Sequence, residues 1–158
     1  MEIELIEATI NDSEKIHQMQ KVGFKALLEK YQDYDTNPGA ETLEKIKWRF
    51  QFPQGRHYFI EVDKISIGYI RIVKNNEHSI RLSQMFILPD YQGRGYAQQV
   101  IKKIEMLNPN VQYWELDTIK QESKLCYLYE KMGYKPTGKE EDIKDGMTLI
   151  YYEKRRVV

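Results

Sequence analysis

The residues best suited to bind a ligand lie in one short stretch near the middle of the chain, Gln92-Gly93-Arg94-Gly95-Tyr96-Ala97. Two glycines separated by one residue let the backbone turn sharply, and the N–H groups at the start of a following helix attract anions. The surrounding segment 81–103 carries four basic side chains against the single acid Asp90. The pattern predicts a phosphate-binding loop. On the residues alone, a strand-to-helix turn with a solvated basic face is an equal alternative.

This stretch differs from two common phosphate-binding loops. It has no Gly-Lys followed by Ser or Thr, as a P-loop would, and it lacks the third glycine of a dinucleotide-binding fingerprint. The loop therefore predicts an anionic ligand without specifying which one.

The strand that must lead into the loop has an irregular pattern. Its apolar residues are even-numbered at Ile80 and Leu82 but odd-numbered at Met85 and Ile87. Because side chains alternate between the two faces of a strand, a change of phase within one strand requires an extra residue. The sequence predicts a β-bulge at Ser83-Gln84.

The remaining chain predicts a mixed α/β fold, because segments with the period of strands alternate with segments of helical period. The predicted elements are, in order, a strand near residue 3, two helices over 16–31 and 43–50, three strands between 58 and 87 with turns at Asp63-Lys64 and Asn75-Asn76, the helix after the loop, a strand over 111–117, a helix that ends at Gly133, and two closing strands. The predicted order is β-α-α-β-β-β-α-β-α-β-β.

Composition limits the class of protein. The 158 residues suit one domain, 1–158, and no Pro/Gly/Ser-rich linker divides them. The longest apolar run of the central region, Met85–Leu88, is far shorter than a membrane span, and the N-terminus lacks a signal pattern. With one cysteine and 24 basic against 24 acidic residues, we expect a cytoplasmic protein that binds neither membranes nor, by broad charge attraction, nucleic acids.

Two motifs make the prediction specific. Segment 85–97 resembles the acetyl-CoA motif of the GNAT superfamily of N-acetyltransferases, with Gln92, Gly95 and Ala97 at its three defining positions. Segment 128–134, Leu-Tyr-Glu-Lys-Met-Gly-Tyr, resembles the family's Leu-Tyr-Glu-Lys-x-Gly-Phe, with a tyrosine in place of the phenylalanine. Both motifs occur at the family's separation and in its element order.

The resemblance implies a GNAT-like fold, a mixed and mostly antiparallel central sheet flanked by helices. It also implies acetyl-CoA as co-substrate and no metal. Backbone amides over 93–97 would hold the pyrophosphate, and the main chain of the bulged strand would pair with the pantetheine like an added strand. The implied cofactor-binding residues are Met85, Ile87, Gln92, Gly93, Arg94, Gly95, Tyr96 and Ala97.

Acetyl transfer to an amine requires two proton movements. An alkylamine, with a pKa of about 10.4, is protonated at neutral pH and must lose its proton, and the departing thiolate needs a hydrogen-bond donor. The resemblance implies that Tyr129 is this donor and the general acid. Without the resemblance, Tyr129 would be a core residue of the helical stripe that includes Leu125, Leu128 and Met132.

The sequence does not identify the general base. Ser83 and Gln84 occupy the bulge, where family members often have a carboxylate, and neither titrates usefully. Glu122 and Asp117 are the candidate bases. The alternative for each is a structural role, with Glu122 as a residue favoured at the start of a helix and Asp117 as a turn residue at the end of a strand. The missing base keeps a non-catalytic CoA-binding module as an alternative function. Cys126 has no visible histidine partner, and we expect it to pack.

The acceptor is predicted from charge. In the family, the two helices after the first strand line the acceptor side, and segment 29–44 has five acids against one base. We expect Tyr31, Asp33 and Tyr34 to bind a small cationic amine by charge attraction and cation–π contact. A solvated helix face is the alternative reading, and a protein N-terminus or lysine is the alternative acceptor. Paired C-terminal strands or exposed tyrosines could support a homodimer.

Overall fold

The computed structural model describes residues 1–156. Seven strands and five α-helices follow one another along this part of the chain. They are β1 (Glu4–Glu7), α1 (Ser13–Gly23), α2 (Lys25–Tyr31), α3 (Leu43–Arg49), β2 (Gly55–Val62), β3 (Ile65–Asn76), β4 (Ser79–Ile87), α4 (Tyr96–Leu107), β5 (Tyr113–Ile119), α5 (Ser123–Lys131), β6 (Lys135–Lys144) and β7 (Met147–Arg155). No helix within residues 1–156 is long and apolar enough to cross a membrane.

The strands form one sheet in the order β1-β2-β3-β4-β5-β7-β6. Every neighbouring pair is antiparallel except β4 and β5, which are parallel. A parallel pair needs a crossover connection, and α4 supplies it. The predicted mixed, mostly antiparallel sheet flanked by helices is confirmed.

Both faces of the sheet are covered. On one face α4 packs Ile101 into a cluster with Ile70 of β3. On the other face α1 and α3 pack Ile16 and Ile46 against Tyr69, the neighbour of Ile70 along β3. A central strand covered on both faces carries apolar residues at consecutive positions, as β3 does. Full burial of one such aliphatic side chain contributes about 1.5 to 3 kcal/mol to stability.

The predicted β-bulge is confirmed. In the pairing of β3 with β4, Arg71 lies opposite Gln84 and Ile72 lies opposite Leu82, so Ser83 is the extra residue. The inserted residue changes the phase of the strand, which places Leu82 and Ile87 in one core cluster although their numbers differ in parity.

Beyond the bulge, β4 separates from β5. The two strands pair at only three positions, from Ser79 with Tyr113 to Arg81 with Glu115. The later part of β5 stays paired with β7 as far as Ile119. A gap therefore opens between the second half of β4 and the second half of β5, and it exposes one hydrogen-bonding edge of β4.

Three local predictions needed correction. The helix predicted over 16–31 is two helices, with a bend at Phe24. A Cβ on Gly23 would lie 2.5 Å from the Phe86 ring, so this glycine lets α1 approach the sheet at the bend. The turn predicted at Asn75-Asn76 lies at residues 77–78, because Asn76 still pairs with Ser79. The strand predicted over 111–117 is β5, which begins and ends two residues later.

Candidate functional site

The glycine loop has the backbone geometry that an anion site requires. Gly93 and Gly95 have φ angles of 76° and 82°, a left-handed conformation that residues with a Cβ rarely adopt. Gly95 is the residue that caps the N-terminus of the twelve-residue helix α4. Helix α4 therefore begins at the loop with its unpaired N–H groups and the positive end of its dipole.

Two side chains hold the loop in place. Gln92 Nε2 donates a hydrogen bond of 2.8 Å to the carbonyl of Ile87, the last residue of β4. Arg94 donates to the carbonyl of Asp90 at 3.1 Å and lies 5.7 Å from the ring centroid of Tyr91. Gln92 thus ties the loop to the end of the bulged strand, and the Arg94 guanidinium packs along the loop itself.

A cleft of about 330 Å³ lies between this loop, the end of β4 and helix α5. We call it the loop cleft. Arg94 is not among its lining residues. The other predicted cofactor residues line the cleft, namely Met85, Ile87, Gln92, Gly93, Gly95, Tyr96 and Ala97. Tyr96 is only 6% exposed, and most of its side chain packs in the core.

A second cleft, of about 240 Å³, occupies the gap between β4 and β5. We call it the bulge cleft, because Ser83 and Gln84 line it. Met85, Leu125 and Tyr129 line both clefts. The two clefts therefore meet at Tyr129, and a ligand in one can reach a ligand in the other at this side chain.

Tyr129 is 8% exposed. Burial, with a smaller contribution from Cys126, raises the pKa of Tyr129 to about 12. The phenol therefore stays protonated at neutral pH and can donate a hydrogen bond. Because a thiol has a pKa of about 8.5, full proton transfer from Tyr129 to a thiolate would be uphill by about 5 kcal/mol. The buried phenol is better suited to donate a hydrogen bond to a thiolate than to give up its proton.

The two candidate bases have different positions. Asp117 lines the bulge cleft and forms an ion pair with Arg81 of β4. Glu122 is not among the lining residues of either cleft. Its Oε2 accepts hydrogen bonds from Lys30, at 2.7 Å, and from the Tyr31 hydroxyl. Burial raises the pKa of Glu122, but these two partners outweigh it and lower the pKa overall, which makes Glu122 a weaker base.

Of the three predicted acceptor-binding residues, only Asp33 lines the bulge cleft. It is 5% exposed and accepts hydrogen bonds from the backbone and the hydroxyl of Thr36. The Tyr31 hydroxyl is bonded to Glu122, and Tyr34 is exposed and bonded to Gln32. Neither tyrosine is among the residues that line the bulge cleft. A run of residue types does not indicate which members point inward.

Two of the five acids of segment 29–44 lie beside a basic side chain. Arg49 forms a two-pronged ion pair with Glu41, and Lys25 lies 3.9 Å from Glu29. The carboxylates that line the bulge cleft are Asp33 and Asp117, which are 84 positions apart in the sequence. Sequence reasoning did not pair them, because only the packing of α2 and its following turn against β5 brings them together.

Cys126 packs against the main core cluster at intermediate exposure. Its Sγ lies 3.8 Å from the carbonyl oxygen of Ile119 and 3.7 Å from that of Lys120. The S–H group can donate weakly to these two carbonyls at the end of β5. Cys126 therefore has the surroundings of a thiol that packs.

Comparisons with known proteins bear on the family and the fold. Residues 27–156 match the family model of the acetyltransferase (GNAT) domain. A spermidine N-acetyltransferase from Vibrio cholerae, solved with CoA and spermine, is 19% identical with a TM-score of 0.78, over 98% of this chain and 95% of that one. An acetyltransferase from Thermus thermophilus is 18% identical with a TM-score of 0.77, over 99% and 98% of the two chains.

A third structure is similar over the whole length. The PaiA N-acetyltransferase from Thermoplasma acidophilum, in complex with coenzyme A, is 17% identical with a TM-score of 0.70, over 99% of this chain and 100% of that one. A search among curated proteins found no match. At these identities the structural likeness establishes the fold, and the family model covers most of the chain.

Proposed function

The chain belongs to the GNAT family of acetyltransferases, and on that premise we propose that it transfers an acetyl group from acetyl-CoA directly to the primary amine of a small cationic acceptor. The observation that carries this proposal is the meeting of two clefts at Tyr129. One cleft has the loop geometry for an anionic cofactor, and the other has two carboxylates for a cation. Direct transfer requires such a junction, because both substrates must be bound at once.

The loop cleft suits the cofactor. The amides over 93–97 would bind its pyrophosphate at the start of α4. Since β4 pairs with β5 at only three positions, its later residues have a free edge at which the pantetheine can add like a strand. Met85 and Ile87 on this edge lead from the loop toward Tyr129, which would place the thioester at the junction.

The bulge cleft suits an amine that carries an alkyl body. Its lining residues within the described chain include Asp33 and Asp117 and no lysine, arginine or histidine. Much of the remaining wall is apolar, with Phe24, Leu27 and Ile119 among its members. Arg81 balances the charge of Asp117, but the ion pairs among residues 1–156 do not include Asp33. The charge of Asp33 in a largely apolar cleft favours a cation over a neutral or anionic molecule.

The chemistry then follows from proton transfers at the nitrogen and at the sulfur. Asp117, directly or through a water, takes one proton of the bound ammonium so that the neutral nitrogen can attack the thioester carbon. When the tetrahedral intermediate collapses, the carbon–sulfur bond breaks, the nitrogen gives its second proton to solvent, and the thiolate accepts a hydrogen bond from Tyr129. As the products leave, solvent protonates the thiolate and takes the proton held by Asp117. The spermine complex of the Vibrio cholerae enzyme supports an acceptor of the polyamine class.

An amine panel tests the proposal. The purified protein is incubated with acetyl-CoA and, separately, with a polyamine, an amino sugar, an uncharged aromatic amine, a lysine peptide and a peptide with a free α-amino group, and released thiol is measured at low salt. We expect the first two to be acetylated with the highest kcat/KM. Preference for a peptide would instead support the protein-directed alternative. Binding of acetyl-CoA without thiol release with any amine would contradict the proposed reaction.

A further inference from the structure

A third cleft, of about 450 Å³, lies between the end of α3, the start of β2 and the end of β3. We call it the basic cleft. The end of α3 contributes Trp48 and Arg49, β2 contributes His57, and β3 contributes Arg71 and Lys74. Its lining residues are all different from those of the loop cleft and the bulge cleft. The proposed acetyl transfer therefore gives this cleft no role.

Two polar atoms in the basic cleft are buried without a hydrogen-bond partner. They are His57 Nε2 and Arg71 Nε. His57 and Arg71 lie directly opposite each other in the pairing of β2 with β3, so their side chains stand next to each other on one face of the sheet. A buried polar atom that lacks a partner costs about 1 to 3 kcal/mol, and a group that accepts hydrogen bonds from both atoms would remove this cost.

The His57 ring is fixed in the orientation that a ligand would need. His57 is 5% exposed, its Nδ1 lies 2.6 Å from the Tyr69 hydroxyl, and its ring stacks on Phe50 with centroids 4.0 Å apart. In the tautomer in which the Tyr69 hydroxyl donates to Nδ1, the ring proton is on Nε2. His57 Nε2 is then a buried donor beside the donors of the Arg71 guanidinium.

The charge of the basic cleft is not balanced. Arg49 is paired with Glu41, but the ion pairs among residues 1–156 include neither Arg71 nor Lys74. None of the lining residues is a carboxylate. An unpaired, largely buried guanidinium is unfavourable, and an anion would compensate it.

The rim of the basic cleft is aromatic. Trp48 is 51% exposed and Phe52 is 43% exposed, and the two rings pack edge to face with centroids 4.7 Å apart. Exposed aromatic faces beside unpaired cations can stack on a planar ring while the cations bind its charged group.

We propose that the basic cleft is a second ligand site, which binds a small organic anion with an aromatic ring, an aryl phosphate or aryl carboxylate. The anionic group accepts hydrogen bonds from His57 Nε2 and the Arg71 guanidinium and is neutralised by Arg71 and Lys74. The ring lies against Trp48 and Phe52. The volume of the cleft is within the range of small-molecule sites.

Calorimetric titration tests this site. The protein, in a buffer without phosphate and with CoA present to fill the loop cleft, is titrated with phenyl phosphate, benzoate, inorganic phosphate and phenol. We expect phenyl phosphate or benzoate to bind saturably, and the stronger of the two to identify the anionic group. Phosphate, which has the charge alone, and phenol, which has the ring alone, are each expected to bind at least about tenfold more weakly. Equal affinity for inorganic phosphate would overturn the aromatic part of the proposal.

Variants locate the site. Arg71→Met and, independently, the exposed-residue change Trp48→Ala are expected to weaken binding by at least about tenfold. Arg56→Met is the matched control, because Arg56 is exposed, precedes His57 on β2 and is not among the residues that line the cleft. Absence of saturable binding to the wild-type protein, or an equal loss in Arg56→Met, would overturn the proposal. Because Trp48 is half exposed, its variant gives a result even if Arg71→Met fails to fold.

Discussion

Tyr129 and Tyr134 pack edge to face with ring centroids 6.1 Å apart, and the Tyr134 N–H donates to the Tyr129 carbonyl at 3.0 Å. Both residues belong to the second sequence motif. Gly133 between them has a φ of 94°, which lets the chain turn back after α5. The Tyr134 ring, 2% exposed, therefore packs the Tyr129 ring within the core, while Tyr129 itself lines both clefts.

Removing the Tyr129 hydroxyl tests its role as donor to the thiolate. For Tyr129→Phe we expect kcat to fall by roughly 100-fold, since one positioned hydrogen-bond donor to the developing charge contributes about this much, while the affinity for acetyl-CoA stays nearly unchanged. Tyr113→Phe is the control, because it removes a hydroxyl bonded to Glu153 on β7, away from both clefts. Thiol release and acetyl-CoA titration give the two quantities. An unchanged kcat would leave Tyr129 as a packing residue.

The loop geometry can be tested with a pair of glycines. Gly95 and Gly146 have φ angles of 82° and 80°, and at both positions an added Cβ would have no heavy atom within 4 Å. Alanine at either site costs about 1 to 2 kcal/mol of backbone strain. We expect Gly95→Ala to raise the KM for acetyl-CoA roughly tenfold as the loop relaxes and its amides turn. Gly146→Ala, in the β6–β7 turn, should keep the wild-type KM, and equal KM values for both variants would argue against cofactor binding by this loop.

The acceptor side can be tested with neighbouring aspartates. Asp33→Asn keeps the acceptor oxygen for Thr36 but removes the charge from the bulge cleft. We expect the KM for a cationic amine to rise roughly tenfold and the KM for acetyl-CoA to stay constant. Asp35→Asn removes the same charge from an exposed position two residues away and should change neither value. If both variants raise the KM for the cationic amine equally, general charge attraction explains the preference for cationic amines, and a contact in the cleft does not.

The position of the base is tested by comparing the two candidates. For Asp117→Asn we expect kcat to fall by roughly 100-fold, because the carboxylate in the bulge cleft is lost. For Glu122→Gln we expect a lower melting temperature and a nearly normal kcat, because Glu122 joins Lys30 and Tyr31 instead of facing a cleft. The opposite result, with kcat lost only in Glu122→Gln, would assign the base to Glu122.

His57 predicts a pH dependence of stability. Burial, followed by the charges of Arg71 and Arg49, lowers the pKa of His57 to about 4, whereas an unfolded histidine has a pKa of about 6.5. At pH values between these two pKa values the unfolded chain binds more protons than the folded chain. The free energy of unfolding should therefore fall by about 3 kcal/mol as the pH is lowered from about 6.5 to about 4, and this contribution is constant above that range.

Urea unfolding at several pH values measures this dependence. We expect His57→Gln to flatten the profile between those two pKa values, because the group that titrates differently in the folded and unfolded chains is gone. His78→Gln should keep the wild-type slope, since His78 is exposed. Carboxylates contribute equally to all three proteins, so the comparison isolates His57. Parallel profiles for the wild type and His57→Gln would contradict the prediction.

The sequence predicted features that depend on local periodicity. The bulge was visible because an extra residue changes which face each later side chain occupies, and Ser83 is that residue. The left-handed turn was visible because only glycine accepts a positive φ readily, and Gly93 and Gly95 have it. The bend at Phe24 was not visible, because both helices keep the same apolar spacing across it.

The tertiary structure decided which predicted side chains can act together. Asp33 and Asp117 share a cleft and Glu122 binds Lys30 and Tyr31, although sequence spacing relates none of these groups. The basic cleft likewise depends on the register of β2 with β3, which places His57 beside Arg71. The sequence alone determined the family, most of the elements and the glycine loop predicted to bind the cofactor, because backbone preferences act over a few residues. Only the folded chain brought together the residues of the proposed acceptor side and of the proposed second ligand site, because these residues are distant along the chain.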